Sequence, residues 1–230
     1  MATVIGPDIT TDGLVLHLDA ANPISYSGSG TAWNDLSSNG NAAMVNTPVF
    51  NSTSPKNFSF DATNEYFSLS GNSEMAMNGD VTLISWFKQN TTGSPHQTTI
   101  CTAVNYRAGL KLMSHYHGPV SAWLGNSDGS DSYLLGSSLN IEGDGLWHQA
   151  ATTRSSSTGF LTIYVDGVLK NSATSYTGLT HLAGIPAVGV DYHSSGYYYD
   201  GNIAMCMAYN RVLTTLEIQQ NYNQFKSRFI

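Results

Sequence analysis

Hydrophobic and polar residues alternate with a period of two over much of the chain, as expected of β-strands that bury one face. The pattern is clearest between residues 146 and 170, where residues 147–154 and 160–165 predict two strands joined by a polar loop. Asp166-Gly167 then forms a two-residue hairpin turn, because both residues tolerate positive φ. A short strand follows at about residues 168–172, so the segment predicts three consecutive antiparallel strands.

Comparable runs predict strands along most of the remaining chain, at residues 14–18, 45–50, 58–69, 81–89, 98–104, 110–116, 120–124, 133–135, 185–190 and 197–210. A turn at residues 62–64 divides the third run into two strands. Pro48 places the second run at a sheet edge, because proline has no backbone N–H to donate. Short strands separated by turn residues at intervals of about 8–12 positions are typical of a β-sandwich or jelly roll.

A helix is predicted only near the C-terminus. Residues 214–217, with the sequence TTLE, match a capping box, in which the Thr side chain accepts a hydrogen bond from a backbone amide and the Glu returns one. We therefore expect a helix over about residues 215–225, folded back on the sandwich. Its apolar face is expected to consist of Leu216, Ile218, Tyr222 and Phe225.

Composition and charge narrow the possible partners. Charged residues make up 11% of the 230 positions and the net charge is −7, so the clustered Lys and Arg needed for nucleic-acid binding are missing from the sequence. Residues 1–13 lack the basic and apolar regions of a signal peptide. No apolar run approaches the ~18 residues of a membrane span. We expect neither nucleic-acid binding nor membrane insertion, and a surface that interacts through hydroxyls, amides and aromatic rings.

Two cysteines and one histidine occupy positions that predict burial. Cys101 and Cys206 both have apolar neighbours, and the sequence leaves open whether they are buried free thiols or a disulfide. His148 follows Trp147 at the start of a predicted strand. We expect it to be a histidine packed in the core.

Four segments resemble motifs of LamG-like jelly-roll domains, in the concanavalin A-like lectin/glucanase superfamily. LWHQAATTR…LTIYVDGVLK is similar to the family's WHHVAVTYD…LYVDG hairpin, and FSFDATNEYFSL is similar to its FDGxNDYV strand. VTLISWFK resembles TISAWFK, and DGNIAMCMAYNRVLTTLEIQQNY resembles the closing xGxIDDVRIYNRALTxxEIxxNY. The resemblance implies an all-β jelly-roll sandwich of two curved antiparallel sheets at residues 13–230, preceded by an N-terminal arm at residues 1–12.

The resemblance also implies which ligands to consider. Family members bind glycans or proteins, and many hold Ca²⁺ near the rim of the sandwich. In this chain Ala204 and Met205 stand where the family's acidic pair falls, so a carboxylate that could serve a cation is missing and no cofactor is expected. The residues that could still contribute oxygen ligands to Ca²⁺ are Asp19, Asp61, Asn64 and Asp200.

The opening GLVLHLDAANPISYSGSGTAWNDLSSNGN resembles LamG-like proteins in the virions of tailed bacteriophages. This implies a capsid decoration or fibre module on the virion surface, made without a signal peptide. Its partners are then copies of itself, other virion proteins and cell-surface or environmental glycans. The alternative hypothesis is a soluble cellular lectin or carbohydrate-binding module.

A divergent glycoside hydrolase is a third hypothesis, which the acidic residues oppose. Glycoside hydrolysis needs two carboxyl groups about 5–9.5 Å apart, and retaining glucanases of this fold carry E-x-D-x-x-E on one strand. The four glutamates, Glu65, Glu74, Glu142 and Glu217, show no such spacing. We therefore expect no catalytic residues and no enzymatic activity.

The strongest candidate for ligand recognition is DYHSSGYYYD at residues 191–200. Tyrosine rings stack on sugars and their hydroxyls form hydrogen bonds, although the same residues also suit a subunit contact or ordinary packing. Strand alternation predicts that Tyr197 and Tyr199 face outward and that Tyr198 is buried. A HYH turn and a Trp/Asp cluster are weaker candidates. The full set of binding candidates is Tyr192, His193, Tyr197, Tyr199, His115, His117, Trp123, Asp128 and Asp131.

Overall fold

The computed structural model describes residues 8–37, 39–69, 75, 79–90, 96–103, 109–115, 119–126, 132–175, 185–191 and 197–230. In these residues sixteen strands form two antiparallel sheets. The back sheet contains β1 (Leu14–Asp19), β4 (Val49–Asn51), β5 (Asn57–Asp61), β7 (Val81–Gln89), β12 (His148–Arg154), β13 (Phe160–Val165), β14 (Val168–Thr174) and β16 (Asp200–Tyr209). The front sheet contains β2 (Ala32–Asn34), β3 (Asn41–Val45), β6 (Tyr66–Ser68), β8 (His96–Cys101), β9 (Gly109–His115), β10 (Pro119–Gly125), β11 (Ser132–Asn140) and β15 (Ala187–Val188).

The topology confirms the predicted sandwich of two antiparallel sheets. The back sheet has the order β14-β13-β12-β7-β16-β5-β4, and β1 pairs with β16 beside this path. The front sheet has the order β11-β10-β9-β8-β15-β6-β3-β2. The predicted three-stranded meander is β12-β13-β14, and the Asp166-Gly167 turn has φ of 53° and 72°.

The prediction of one continuous strand over residues 45–50 is wrong. The structure ends β3 at Val45 and begins β4 at Val49. Between them Asn46 and Thr47 have φ of 53° and 35°, because the chain leaves the front sheet here and enters the back sheet. The part of the run that follows Pro48 is nevertheless an edge strand, as the proline predicts.

The core lies between the sheets and is rich in aromatic rings. Leu83 and Ile163 of the back sheet and Ile100 and Leu112 of the front sheet belong to one buried cluster. Burial of one large apolar side chain contributes about 1.5–3 kcal/mol, so this cluster is a main source of stability. One end of the core consists of Tyr26, Trp33, Phe50, Phe58, Phe60, Phe67 and Tyr199, whose neighbouring ring centroids lie 4.7–6.1 Å apart.

Helix α1 (Thr215–Phe225) covers part of the outer face of the back sheet. Its capping box is as predicted: Glu217 N donates to Thr214 Oγ1 at 3.3 Å and Thr214 N donates to Glu217 Oε2 at 2.8 Å. The Trp86 ring lies nearly parallel to the rings of Tyr222 and Phe229, with centroid distances of 5.5 and 4.2 Å. The apolar outer face of β7 is therefore buried as completely as its inner face.

The predicted apolar face of the helix is wrong in one residue, Leu216. Ile218 is buried, and Tyr222 and Phe225 pack against the same cluster, but Leu216 is 76% exposed. Two helical positions are about 200° apart, so Leu216 must point away when Ile218 faces the sheet. In the part of the chain that is described, no helix has the length and apolar character to cross a membrane.

Both ends of the described chain are tied to this helical layer. The Arg228 guanidinium donates to both carboxylate oxygens of Asp19, at 2.9 and 2.7 Å. Thr10 N donates to Asn221 Oδ1 at 3.0 Å, and Tyr209 Oη donates to Thr10 O at 2.9 Å. The segment before β1 and the segment after α1 are thus held on the same face of the back sheet.

The two cysteines are free, which decides between the alternatives that the sequence left open. Cys101 lies in β8 of the front sheet and Cys206 lies in β16 of the back sheet, and both are buried. Burial raises the pKa of each thiol to about 12. Both cysteines are therefore protonated and unreactive at neutral pH.

His148 is not the packed core histidine that the sequence predicts. Its Nδ1 lies 2.8 Å from Asp166 Oδ2 and its Nε2 lies 2.9 Å from Asp144 Oδ2. Burial lowers the pKa of His148, but the hydrogen bonds and charges of Asp166 and Asp144 outweigh it, and the net shift is upward. A protonated imidazole therefore joins the loop before β12 to the turn after β13.

The hydrogen bonds of His148 to Asp144 and Asp166, which we call the His148 clamp, predict a pH-dependent contribution to stability. The pKa of His148 in the folded protein lies above its ordinary value of 6.5, so the stabilisation is complete below pH 6.5 and is lost as the pH rises through the raised pKa. Urea unfolding should show the native protein about 1–2 kcal/mol more stable than His148→Gln at acidic pH, with the difference shrinking above pH 6.5. A difference that grows with pH would contradict the clamp.

Candidate functional site

The candidate site is built on the outer face of the front sheet, where β8 to β11 lie side by side. Leu110 and Leu112 of β9 point into the core, so Lys111 between them points outward. The register places Lys111 opposite both Cys101 of β8 and Trp123 of β10. These cross-strand positions form a row that faces away from the core.

A buried ion pair lies on this face. Lys111 and Asp191 are only 1% and 3% exposed, and Lys111 Nζ donates to Asp191 Oδ1. His96 Nδ1 lies 3.9 Å from Asp191 Oδ2. Removing either partner of such a pair leaves an uncompensated buried charge, which typically costs about 3–5 kcal/mol. The pair therefore fixes Asp191 to the sheet.

Residues 190 and 191 are joined to residues 197 and 198, and both pairs to β8, by several further contacts. Val190 and Tyr198 form an isolated β-bridge, and Asp191 N donates to Tyr197 O at 3.0 Å. Cys101 Sγ donates to Val190 O at 3.6 Å, and Gln97 Nε2 donates to Tyr198 O at 3.4 Å. Residues 190–191 and 197–198 are therefore held at fixed positions beside β8.

Two half-buried aromatic residues accompany the ion pair. The Tyr197 ring meets the His96 ring edge to face, with centroids 4.7 Å apart, and Trp123 lies one strand beyond Lys111. Burial lowers the pKa of His96, Asp191 opposes this shift, and Lys111 adds to it. His96 is therefore neutral at pH 7. The face offers half-buried aromatic rings suited to stacking on a sugar, whereas the ion pair is buried and holds Asp191 in place.

The structure brings together some of the residues that the sequence singled out. Tyr197 and Trp123 lie on the outer side of the front sheet, and His115 ends β9 opposite His96. The remaining candidates of these segments, Tyr192, His193, His117, Asp128 and Asp131, lie outside the described residues. The observed site thus joins parts of two predicted segments that are far apart in sequence.

The sequence did not identify the charged centre of the site. Lys111 and His96 are not among the predicted binding residues, and Asp191 is predicted only as the first residue of the recognition segment 191–200, although a lone lysine between the apolar residues of GLKLM is an unusual feature of a strand. That lysine was the signal from which a buried ion pair could have been predicted. Its partner Asp191 lies 80 positions later, so only the folded chain shows that the two charges meet.

Tyr199 is a correction to the predicted site. Alternation was expected to turn it outward, but its side chain is 0% exposed and packs edge to face against Phe60 and Phe87. The reason is that every second residue at the start of β16 faces the core, as Gly201 and Ile203 do. Tyr199 continues that inward set, so it cannot contact a ligand.

Substitutions of Tyr199 should therefore change stability. Tyr199→Ala removes a fully buried ring and should lower the free energy of unfolding by about 3–5 kcal/mol. Tyr199→Phe should be neutral or slightly stabilising, because the buried Tyr199 hydroxyl has no hydrogen-bond partner in the described residues. Urea unfolding of both variants checks this. An unchanged free energy of unfolding for Tyr199→Ala would contradict the buried position of this side chain.

Of the predicted Ca²⁺ ligands, two are cross-strand neighbours and a third is bound by an arginine. Asp61 of β5 lies opposite Asp200 of β16, whereas both carboxylate oxygens of Asp19 are bound by Arg228. Among the residues with described positions, no three His, Cys, Asp or Glu side chains are arranged to hold a metal ion. Asn64 is an exposed residue of the turn after β5.

The chain is similar to a known family and to several solved structures. A laminin G family model, described as the concanavalin A-like lectin/glucanases superfamily, matches residues 61–219. Among curated protein sequences no significant match was found. Domain 4 of AbnA, a GH43 extracellular arabinanase from Geobacillus stearothermophilus in complex with arabinotriose, is similar with a TM-score of 0.67 and 17% identity, over 90% of this chain and 96% of that chain.

Two larger structures are similar over part of their length. The binding domain of botulinum neurotoxin DC in complex with SialylT has a TM-score of 0.66 and 15% identity, over 93% of this chain and 52% of that chain. Trypanosoma rangeli sialidase in complex with the inhibitor DANA has a TM-score of 0.64 and 16% identity, over 96% of this chain and 35% of that chain. This chain thus spans about half of the first structure and about a third of the second. At these identities the likeness shows the fold.

Proposed function

The chain belongs to the concanavalin A-like lectin/glucanases superfamily, and from this premise we propose that it is a non-enzymatic glycan-binding module. The ligand contacts the outer face of the front sheet. The observation that carries the proposal is the pairing of two half-buried aromatic residues, Tyr197 and Trp123, with the desolvated Lys111–Asp191 pair. The rings stack on the apolar face of a sugar, and the pair fixes Asp191, whose backbone N–H donates to Tyr197 O.

The ligands bound to the similar structures support this proposal. The arabinanase domain is in complex with arabinotriose, and the neurotoxin binding domain is in complex with SialylT. Both share the jelly-roll scaffold of this chain. Because those proteins hold a sugar on the same scaffold, we assign the aromatic surface of Tyr197 and Trp123 to sugar binding in this chain.

The absence of catalysis is part of the proposal. Hydrogen bonding to Arg211 lowers the pKa of Glu217 to about 2, against an opposing effect of burial. A carboxyl group with that pKa is ionised at neutral pH, so it cannot act as the general acid of a glycosidase. Glu217 also accepts hydrogen bonds from Thr214 in the helix cap, which supports a structural role.

We further propose that this module acts on the surface of a tailed-bacteriophage virion, in contact with copies of itself and other virion proteins. The resemblance of residues 13–41 to virion proteins supports this setting. Many tethered copies raise the avidity of a single weak site by roughly 10²–10⁴. A purified protein that is a monomer, and whose gene lies apart from capsid and tail genes, would instead support a soluble lectin.

The binding proposal predicts that aromatic substitutions weaken glycan binding while the fold persists. Trp123→Ala and Tyr197→Ala should each reduce the affinity for a bound oligosaccharide about tenfold, because each removes one stacking surface. Calorimetric titration with arabinotriose and with α2,3-sialyllactose measures the effect. Tyr197→Phe keeps the ring and should bind within about threefold of the native protein.

Phe160→Ala is the matched control, because Phe160 is an exposed aromatic residue of β13 in the back sheet. It should leave binding unchanged, and melting temperatures of all variants confirm folding. The proposal fails if the native protein binds no member of a broad glycan array, or if both aromatic variants bind normally. Release of monosaccharide from either oligosaccharide would contradict the non-enzymatic assignment.

A further inference from the structure

We propose that the back sheet carries a second saccharide-binding surface, selective for neutral sugars. It lies on the part of the outer face that α1 leaves uncovered, so it is separate from the front-sheet site. The side chains of Asn51, Asn57, Ser59 and Asn202 form its centre, which we call the amide face. Lys88 of β7 and Trp147 continue the same surface toward β12.

The amide face is a cross-strand cluster on β4, β5 and β16. The register places Asn51 opposite Asn57 and Ser59 opposite Asn202. Asn51 Nδ2 donates to Asn57 Oδ1 at 2.9 Å and to Ser59 Oγ at 2.6 Å. Asn202 Nδ2 donates to the same two atoms at 2.9 and 2.7 Å. Both N–H groups of each outer amide are therefore used inside the cluster.

This network fixes two carbonyl groups for a ligand. In the described residues, the Oδ1 atoms of Asn51 and Asn202 receive no hydrogen bond, and both side chains are half-buried. The network also fastens the edge strand β4, but that role needs only the amide N–H groups. Two immobilised acceptors match the hydroxyl donors of a sugar, and a rigid site loses little conformational entropy on binding.

An aromatic residue, Trp147, lies beyond Lys88 on the same surface. Asn202 lies opposite Lys88 in the register, and Lys88 Nζ lies 5.9 Å from the centre of the Trp147 ring. Trp147 is half-buried and tilts against Phe229 at a centroid distance of 5.2 Å, which holds the indole in place. A fixed indole beside fixed carbonyls offers both contacts that a sugar ring needs, namely stacking and hydrogen bonding.

The charges beside the amide face favour a neutral ligand. Asp61 and Asp200 lie opposite each other on the same outer face, and Asn90 Nδ2 donates to Asp200 Oδ1 at 2.8 Å. Two carboxylates next to the cluster repel an acidic sugar, and Lys88 supplies a single opposing charge. The surface therefore selects a neutral oligosaccharide over a sialylated or uronic one.

Chemical-shift mapping on the intact ¹⁵N-labelled protein tests the proposal, because the two faces report through different backbone amides. Arabinotriose, cellotriose and maltotriose are each titrated to about 10 mM, a range suited to a single weak sugar site. At least one should shift the amides of Asn51, Ser59, Lys88 and Asn202 in a saturable manner. The acidic α2,3-sialyllactose should bind this surface at least about fivefold more weakly.

Two variants and a matched control separate a ligand site from a purely structural network. Asn202→Ala and Trp147→Ala should each weaken binding at the amide face about fivefold or more and leave shifts at the front-sheet site unchanged. Val168→Ala should bind within about twofold of the native protein, because Val168 is 51% exposed in β14, at the opposite edge of the back sheet from the amide face.

The proposal is overturned if none of the neutral trisaccharides shifts these amides in the native protein, or if Asn202→Ala and Trp147→Ala leave the titration unchanged. The shift map of the native protein decides the question even where a variant fails to fold. Shifts confined to the front-sheet residues would support the first site and refute the second. Shifts confined to the amide face would support the second site and refute the first.

Discussion

The central strands of the back sheet bury both of their faces, and the rest of the structure depends on this constraint. Leu83 and Ile203 face the front sheet, while Trp86 and Met207 belong to a second apolar cluster on the outer side. Apolar surface of that size must be removed from water, and each large side chain contributes about 1.5–3 kcal/mol when buried. Helix α1 and the residues after it are therefore part of the core, and they bring the segment before β1 with them.

This coverage decides which surfaces remain for function. Among the described residues, two surfaces outside the helix carry polar groups beside aromatic rings: the outer face of the front sheet and the strip from β4 to β12. The first surface holds a desolvated ion pair beside aromatic rings, and the second holds hydrogen-bonded amides beside an indole. Both suit a sugar, but the ion pair fixes Asp191 beside Tyr197, whereas the amides present acceptors directly.

Much of the fold was predictable because its signals are local. Alternation in VTLISWFKQ, the Asp166-Gly167 turn and the capping box at Thr214 each depend on residues within a few positions of one another. The errors arose where the local pattern admits two outcomes. Residues 45–50 look like one strand, but two residues with positive φ divide it between the sheets. Leu216 is apolar, yet helical geometry turns it away once Ile218 faces the sheet.

The sequence by itself therefore determined the strand pattern, the helix and its cap, and the family to which the chain belongs. Only the tertiary structure decided the parity of Tyr199, the two carboxylates around His148 and the meeting of Lys111 with Asp191. The physical reason is the range of the interactions. Strand and turn preferences act between neighbouring residues, whereas a buried charge finds its partner only after distant segments have packed against the same sheet.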